Sequence, residues 1–247
     1  MPSERARVVA HRGFSGAAPE NTVAAVRAAI EVGADMAEVD VTLTSDGHVV
    51  CLHDEKVDRT TDGKGRITEI TLEQVQDLDA GSWFSPSFAG EPIPTLDEVL
   101  EVVNGSILLN IEIKTEVVDR GIAAKVVARV REHEMVEQVM ISSFSPRALF
   151  EVRKLDGTLT TASLFNRKIH RGVDPAKIIA EVGSQALNIN RRFFNRSIRQ
   201  RCAELEIPVG TYTANKPRHM EKLLARGVHA IYTDHPDVLL NLMAADE

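Results

Sequence analysis

A single (β/α)8 barrel with a small inserted subdomain is the fold this α/β sequence predicts, on three observations. The chain is 247 residues long, a length typical of that barrel. Short apolar strands alternate with helix-like segments along it, which is the signature of a parallel sheet covered by helices. Eight such strands can be counted, and eight repeats in this length favour a closed barrel over an open doubly wound sheet.

The strand candidates, in chain order, are RVVAH, AEVDVTL, LLNIEIK, VMISSF, TTASLF, ALNIN, PVGTYT and AIYTD. A ninth apolar stretch, HVVCLH, follows AEVDVTL after only Ser45-Asp46-Gly47. That turn is too short for a parallel crossover, so this stretch must return antiparallel, as a hairpin. Helices fill most of the gaps. NTVAAVRAAIEVG has apolar spacings of three and four, with Asn21 as the expected N-cap and Gly33 past the end. TLDEVLEVVNG opens with a capping box from Thr95 to Glu98 and stops at Gly105. SPRALFEVRKLDG has Ser145 at the N-cap and Pro146 at the first helical position, and NKPRHMEKLLARG repeats the scheme up to Gly227.

Residues 54–94 break the rhythm. They hold several Gly, Pro and Asp turns, one short helix boxed by Thr71 and Gln74, and the only tryptophan, Trp83. A structureless connection of this length is uncommon inside a compact domain. The segment therefore reads as a small inserted subdomain beside one face of the barrel, with Trp83, Phe84 and Phe88 as its expected core. Because it starts directly after His53, it is expected to wall the site.

Composition narrows the function. Hydrophobic residues make up 43% and charged residues 26% of the chain, as in ordinary globular domains. A net charge of −7 argues against a nucleic-acid surface, which needs a basic patch, but leaves room for a small anionic ligand. The two cysteines, Cys51 and Cys202, have neither disulfide-framework nor zinc spacing. No secretory signal and no membrane-length apolar run is present, so the expected location is cytoplasmic, without stable membrane insertion. The oligomeric state cannot be read from the sequence.

The chemistry concentrates where barrel enzymes keep it, at the C-terminal ends of the strands. In AEVDVTL, Glu38 and Asp40 share one strand face, while Val39, Val41 and Leu43 line the other. If Asp46 and Gly47 are the two corners of the hairpin, Cys51 faces Thr42 and His53 faces Asp40. Facing side chains lie about 5 Å apart at Cβ, so one hairpin gathers Glu38, Asp40 and His53. Two buried carboxylates this close repel each other and call for a positive charge. Oxygen ligands suit a hard divalent cation, Mg2+ or Ca2+. Taken alone, the pair also fits a solvated sheet face or a salt bridge.

The rest of the chain supports the cation. Asn110, Glu112 and Lys114 alternate on the third strand and point one way, and the first strand ends in His11-Arg12-Gly13. Ser143, Asn188, Tyr212, Thr233 and Asp234 end later strands with less clear roles. His133, His170, His219 and His229 read as ordinary core or surface histidines. Three carboxylates, two imidazoles and two fixed cations at one barrel mouth suit phosphate-ester chemistry. Cations offset phosphate charge and histidines move protons near neutral pH.

At these residues the chain resembles the bacterial glycerophosphodiester phosphodiesterases. The matching stretches are AHRGFSGAAPENTVAA, EVDVTLTSDGHVVCLHDEKVDRTTDGKG, IPTLDEV, LNIEIK, SSF and YTDHP, in order from His11 to about Pro236. The resemblance implies a metal-dependent hydrolase that cleaves small glycerophosphodiesters to sn-glycerol 3-phosphate and an alcohol. It implies His11 and His53 as the acid/base pair, and Glu38, Asp40 and Glu112 as ligands of one divalent cation. Arg12 and Lys114 become phosphate clamps, and Glu20 orients Arg12. Tyr212 stands where the family usually has tryptophan, at a position expected to line the substrate pocket, which leaves the head-group preference open. Met36 stands where a smaller residue is commoner, with an expected effect on packing only.

Two other readings compete. A phospholipid-cleaving relative of the sphingomyelinase D type would favour exposed apolar loops. A catalytically inactive barrel acting as a binding module would have no need of both histidines and all three carboxylates. A glycosidase needs two carboxyl groups flanking the scissile bond and no metal, which the Arg12 and Lys114 cations do not fit.

Overall fold

A computed structural model describes residues 5–245. Its strands are β1 (Arg7–Ala10), β2 (Met36–Leu43), β3 (Val49–Cys51), β4 (Leu108–Ile113), β5 (Val139–Ser143), β6 (Thr160–Phe165), β7 (Ala186–Asn190), β8 (Val209–Tyr212) and β9 (Ala230–Thr233). Its α-helices are α1 (Val23–Glu31), α2 (Leu72–Gln76), α3 (Leu96–Val103), α4 (Ile122–Glu132), α5 (Pro146–Leu155), α6 (Pro175–Val182), α7 (Arg196–Glu204), α8 (Pro217–Leu224) and α9 (Pro236–Ala244). Parallel pairing runs β1-β9-β8-β7-β6-β5-β4-β2 and closes through β1–β2. This is the eight-stranded barrel the sequence predicts, with every predicted strand present.

β2 is the longest strand, and its length positions the site. Its first residues, Met36 and Ala37, pair with β1, while Val41–Leu43 pair antiparallel with β3. The hairpin therefore rises past the barrel rim at the C-terminal end. Alternation then divides each strand between two environments. Val39, Val41, Leu109, Ile111 and Ile113 pack in the large core that includes Leu100, Val126 and Leu149 from the surrounding helices. The opposite positions face the barrel interior, where Val9, Met36 and Tyr232 form a separate small cluster. Met36 is thus a packing residue, as expected.

Two local expectations are corrected. The hairpin pairs Val41 with Cys51 and Leu43 with Val49, one residue away from the predicted register. The loop has three residues rather than two, because the Thr44 amide donates to the His48 carbonyl across it and Gly47 takes a left-handed φ of 85°. The N-cap of α1 is Thr22, whose side chain accepts from the Ala25 amide. Asn21 is released for another role.

Residues 54–94 hold short 3-10 turns at Val57–Arg59, Ile67–Glu69 and Pro86–Phe88 and the boxed helix α2. Val57, Ile67, Val75, Ala80 and Ile93 of this segment pack in one apolar cluster with Val50 and Leu52 of the hairpin. Trp83, Phe84 and Phe88 are not in that core. They form an edge-to-face chain outside it, with Trp83 exposed and its indole nitrogen donating to the Ala80 carbonyl. No helix among the described residues is long and apolar enough to cross a membrane.

Candidate active site

Inward-facing positions of β2 and β4 bring the predicted acids together. Glu38 pairs with Asn110 and Asp40 with Glu112 in the parallel ladder, so their side chains leave the sheet on the same side. Glu38 and Asp40 are almost fully buried. Ligand oxygens of Glu38, Asp40 and Glu112 all lie within 4.8 Å of one another. With His11, Arg12, His53, Asn110, Phe144, Leu164 and Tyr212 they line a pocket of about 140 Å3 at the barrel mouth.

The turn after β1 is folded over these acids. The Arg12 amide donates to Glu38 Oε2 at 2.8 Å, and the Gly13 amide to the Glu38 carbonyl at 3.0 Å. Gly13 has a φ of 74°, and a Cβ there would lie 2.5 Å from the Ala25 carbonyl carbon, so this close approach requires glycine. The Arg12 guanidinium has Nε 3.3 Å from Asp40 Oδ2 and donates through Nη1 to Glu20 Oε1 at 2.7 Å. Lys114 Nζ lies 3.0 Å from Glu112 Oε1 and 3.3 Å from Asp40 Oδ1. Asn21 clamps Asp40 from the remaining side, donating Nδ2–H to Oδ2 and accepting from the Asp40 amide, both at 2.9 Å.

Each histidine is held by a carboxylate. His11 Nδ1 is 2.7 Å from Asp234 Oδ1, and Asp234 in turn accepts from Asn215. His53 Nδ1 is 2.6 Å from Asp54 Oδ1. Arg59 donates to Asp54 Oδ2 at 2.6 Å and to both oxygens of Glu20. Glu20 thus links the support of His53 to that of Arg12. Carboxylates on Nδ1 fix the tautomer and leave Nε2 of both rings without a partner among the described residues. His53 reaches the pocket because the chain has left β3 after Cys51. In continuous strand, the observed register would set it opposite Val39, on the outer face.

The electrostatics follow from burial and from these neighbours. Burial, together with the Asp40 charge, pushes the Glu38 carboxyl up to about 8. Burial and Asp40 raise Glu112 in the same way, against the pull of Lys114. Burial also disfavours charge on Asp40, but Lys114 and Arg12 win, and its carboxyl lies below the usual range. The trio is thus short of positive charge. Glu38 Oε1 supports this, being buried with no hydrogen-bond partner. Three hard oxygen donors, one of them orphaned, fit a divalent cation. The two imidazoles are driven apart. Burial lowers His11, but the Asp234 hydrogen bond and the Glu38 charge outweigh it and the ring stands above its ordinary value. Burial lowers His53, and Lys114 and Arg12 keep it low despite Asp40.

The remaining candidates sort cleanly. Tyr212 lines the pocket and donates its hydroxyl to the Phe165 carbonyl at 2.8 Å. Ser143 and Thr233 serve local turns, and Asn188 donates to the Tyr232 hydroxyl inside the barrel. His133 pairs with Asp97, His229 accepts from the Val209 amide, and His170 stacks on Phe144 and Phe165. Asp54, Arg59 and Asn215 are not read as site residues from sequence, and Asn21 is read there only as a helix cap. Of these only Asp54 carried a signal, standing next to His53.

The chain is similar to known proteins over the length of the barrel. Residues 11–238 match the glycerophosphoryl diester phosphodiesterase family. The chain belongs to that family. A glycerophosphodiester phosphodiesterase of Caldanaerobacter subterraneus is 40% identical over 240 residues, covering 96% of this chain and 97% of that one. One from Bacillus subtilis is 32% identical, covering 96% and 86%. Among solved structures, an Oleispira antarctica phosphodiesterase in complex with the product sn-glycerol-3-phosphate superposes with a TM-score of 0.88 at 30% identity, over 96% of each chain. The glycerophosphodiester phosphodiesterase of Agrobacterium tumefaciens gives a TM-score of 0.83 at 28% identity, over 96% of this chain and 99% of that one. This chain is accordingly a phosphodiesterase of glycerophosphodiesters, with an acidic trio able to bind a metal.

Proposed function

We propose that the chain hydrolyses glycerophosphodiesters to sn-glycerol 3-phosphate and an alcohol in the cytoplasm, with His11 and His53 as its proton-transfer pair. The observation that carries this reading is the pair of imidazoles, each braced at Nδ1 by a carboxylate, flanking a buried trio of acids. We read the chain as one barrel domain in which the insertion at 54–94 supplies the support for His53. Glu38, Asp40 and Glu112 would hold one divalent cation, Mg2+ or Ca2+, which when bound offsets the negative charge of the substrate phosphate. Arg12 and Lys114 add fixed positive charge beside it.

His53, held low, is the ring that is neutral near pH 7 and takes a proton. His11, held high, is the ring that gives one. The glycerol 2-hydroxyl lies next to the phosphate in the same molecule, so its attack has the advantage of proximity. His53 Nε2 accepts the hydroxyl proton as the new P–O bond forms. The bond to the alcohol breaks, and His11 Nε2–H protonates the departing oxygen. The resulting cyclic phosphate is opened by water with the roles reversed: His11 takes the water proton and His53 returns its own to the 2-oxygen. A glycerol moiety is then required while the alcohol is free to vary.

A substrate lacking the 2-hydroxyl tests this route. The cyclic path predicts essentially no turnover. A kcat comparable to that of the parent diester would leave direct attack by water as the mechanism.

A further inference from the structure

Charge is divided unevenly around the barrel mouth. The insertion at 54–94, beside β2, carries nine Asp and Glu against four Lys and Arg. β7 lies diametrically opposite β2 in the closed strand order. There the segments following β6, β7 and β8, residues 166–174, 191–196 and 213–218, carry eight Lys and Arg against the one carboxylate of Asp174. All three segments leave the C-terminal ends of parallel strands, so they share the pocket's face of the barrel.

Within this rim, Arg191 is tied to two residues of the pocket wall. Its amide donates to the Tyr212 carbonyl at 2.8 Å and its Nε to the Thr213 carbonyl at 2.9 Å, both from residues that line the pocket. Its terminal nitrogens have no partner among the described residues. Arg167 lies over the Phe193 ring at 5.9 Å. Arg191, Arg192, Lys216 and Arg218 form no ion pair with a described residue. They also act on one another: burial, then Arg192 and Arg218, push Arg191 below its ordinary value. Cations this close repel one another locally in the free protein, and a bound anion would relieve that repulsion. The pocket, at about 140 Å3, is small for a substrate site, so the far end of a larger alcohol must extend into the mouth.

We propose that this rim binds a further anionic group on the alcohol half of the substrate. The preferred substrates are then glycerophosphodiesters whose alcohol itself carries a phosphate or carboxylate. The proposal rests on the phosphodiesterase reading above and names the substrate class of that site. An anionic membrane surface would share the same chemistry, and Ile169 and Val173 are exposed in the 166–174 segment. The anchoring of Arg191 on two pocket residues favours the substrate.

The test compares kcat/KM for glycerophosphocholine, glycerophosphoglycerol and glycerophosphoglycerol phosphate, whose alcohols are cationic, neutral and anionic. At low ionic strength the anionic diester should be favoured over the neutral one by about 10-fold, chiefly through KM, and the advantage should shrink with added salt. Arg191→Gln should lower the anionic-to-neutral ratio. So should the double variant Arg192→Glu with Arg218→Glu, at two exposed positions where substitution does not threaten folding. A ratio near one in the wild type, or one unchanged in both variants, overturns the proposal. So does salt-sensitive binding to phosphatidylglycerol vesicles, lost in the double variant, combined with a flat dependence on substrate charge. No turnover of any of the three diesters would remove the phosphodiesterase reading and this proposal with it. Turnover of all three with flat charge dependence would remove this proposal alone.

Discussion

Replacing Asp234 by Asn keeps the side-chain shape and removes one charge from the support of His11. A hydrogen bond between imidazolium and carboxylate contributes about 1.5–3 kcal/mol. The Asp234 side chain is 31% exposed, and solvent screening puts the contribution at the lower end of that range. The sign follows from the role. In the proposed route His11 acts protonated in the first step, so kcat/KM should fall as pH rises through its pKa. In Asp234→Asn this alkaline limb should move to lower pH, because the Asp234 hydrogen bond and charge are part of what holds His11 above its ordinary value. In the same route the acidic limb belongs to His53, which acts neutral. It should stay in place, because His53 is braced by Asp54 and not by Asp234. The amide of Asn also lets the ring adopt the other tautomer, so kcat should fall by about 100-fold or more. The assay is the pH profile of glycerol 3-phosphate release. An unmoved alkaline limb with kcat near wild type would refute the assignment of His11 as the proton donor.

Asn21→Ala removes both bonds to Asp40 in a buried place, and should cost about 1–3 kcal/mol in urea unfolding while weakening divalent-cation binding. An unchanged urea midpoint would contradict the clamp. His53→Ala should slow turnover by about 10²–10⁴ with the fold intact; a kcat close to wild type would exclude His53 as the base.

The barrel was legible because its signal is periodic. Eight apolar strands and their capped helices are local features, and each was read from a handful of residues. The capping boxes at Thr71 and Thr95 form as the sequence indicates. The failures lie where one residue decides between two geometries. Asp46-Gly47 suits a two-residue hairpin or the end of a three-residue loop, and only the left-handed Gly47 after the Thr44–His48 pairing selects the latter. His53 was placed correctly by a wrong register, because leaving the strand after Cys51 undoes the one-residue slip. Asn21 and Thr22 are both good N-caps in sequence. The structure uses Thr22 as the cap and turns Asn21, with a φ of 58°, toward Asp40. Asp234 lies 223 residues from His11, and nothing local joins them until the barrel closes.

The most direct test of the central claim is the rate of sn-glycerol 3-phosphate release from glycerophosphocholine by chelator-treated protein as Mg2+ or Ca2+ is added back, in wild type and in Glu38→Gln. Wild type should be inactive after chelation and recover with saturable dependence on the cation. Glu38→Gln should keep the wild-type circular dichroism and recover little at any cation concentration, since it neutralises the carboxylate whose Oε1 has no protein partner. Full activity in chelated wild type, or full recovery in Glu38→Gln, would contradict a cation held by Glu38, Asp40 and Glu112.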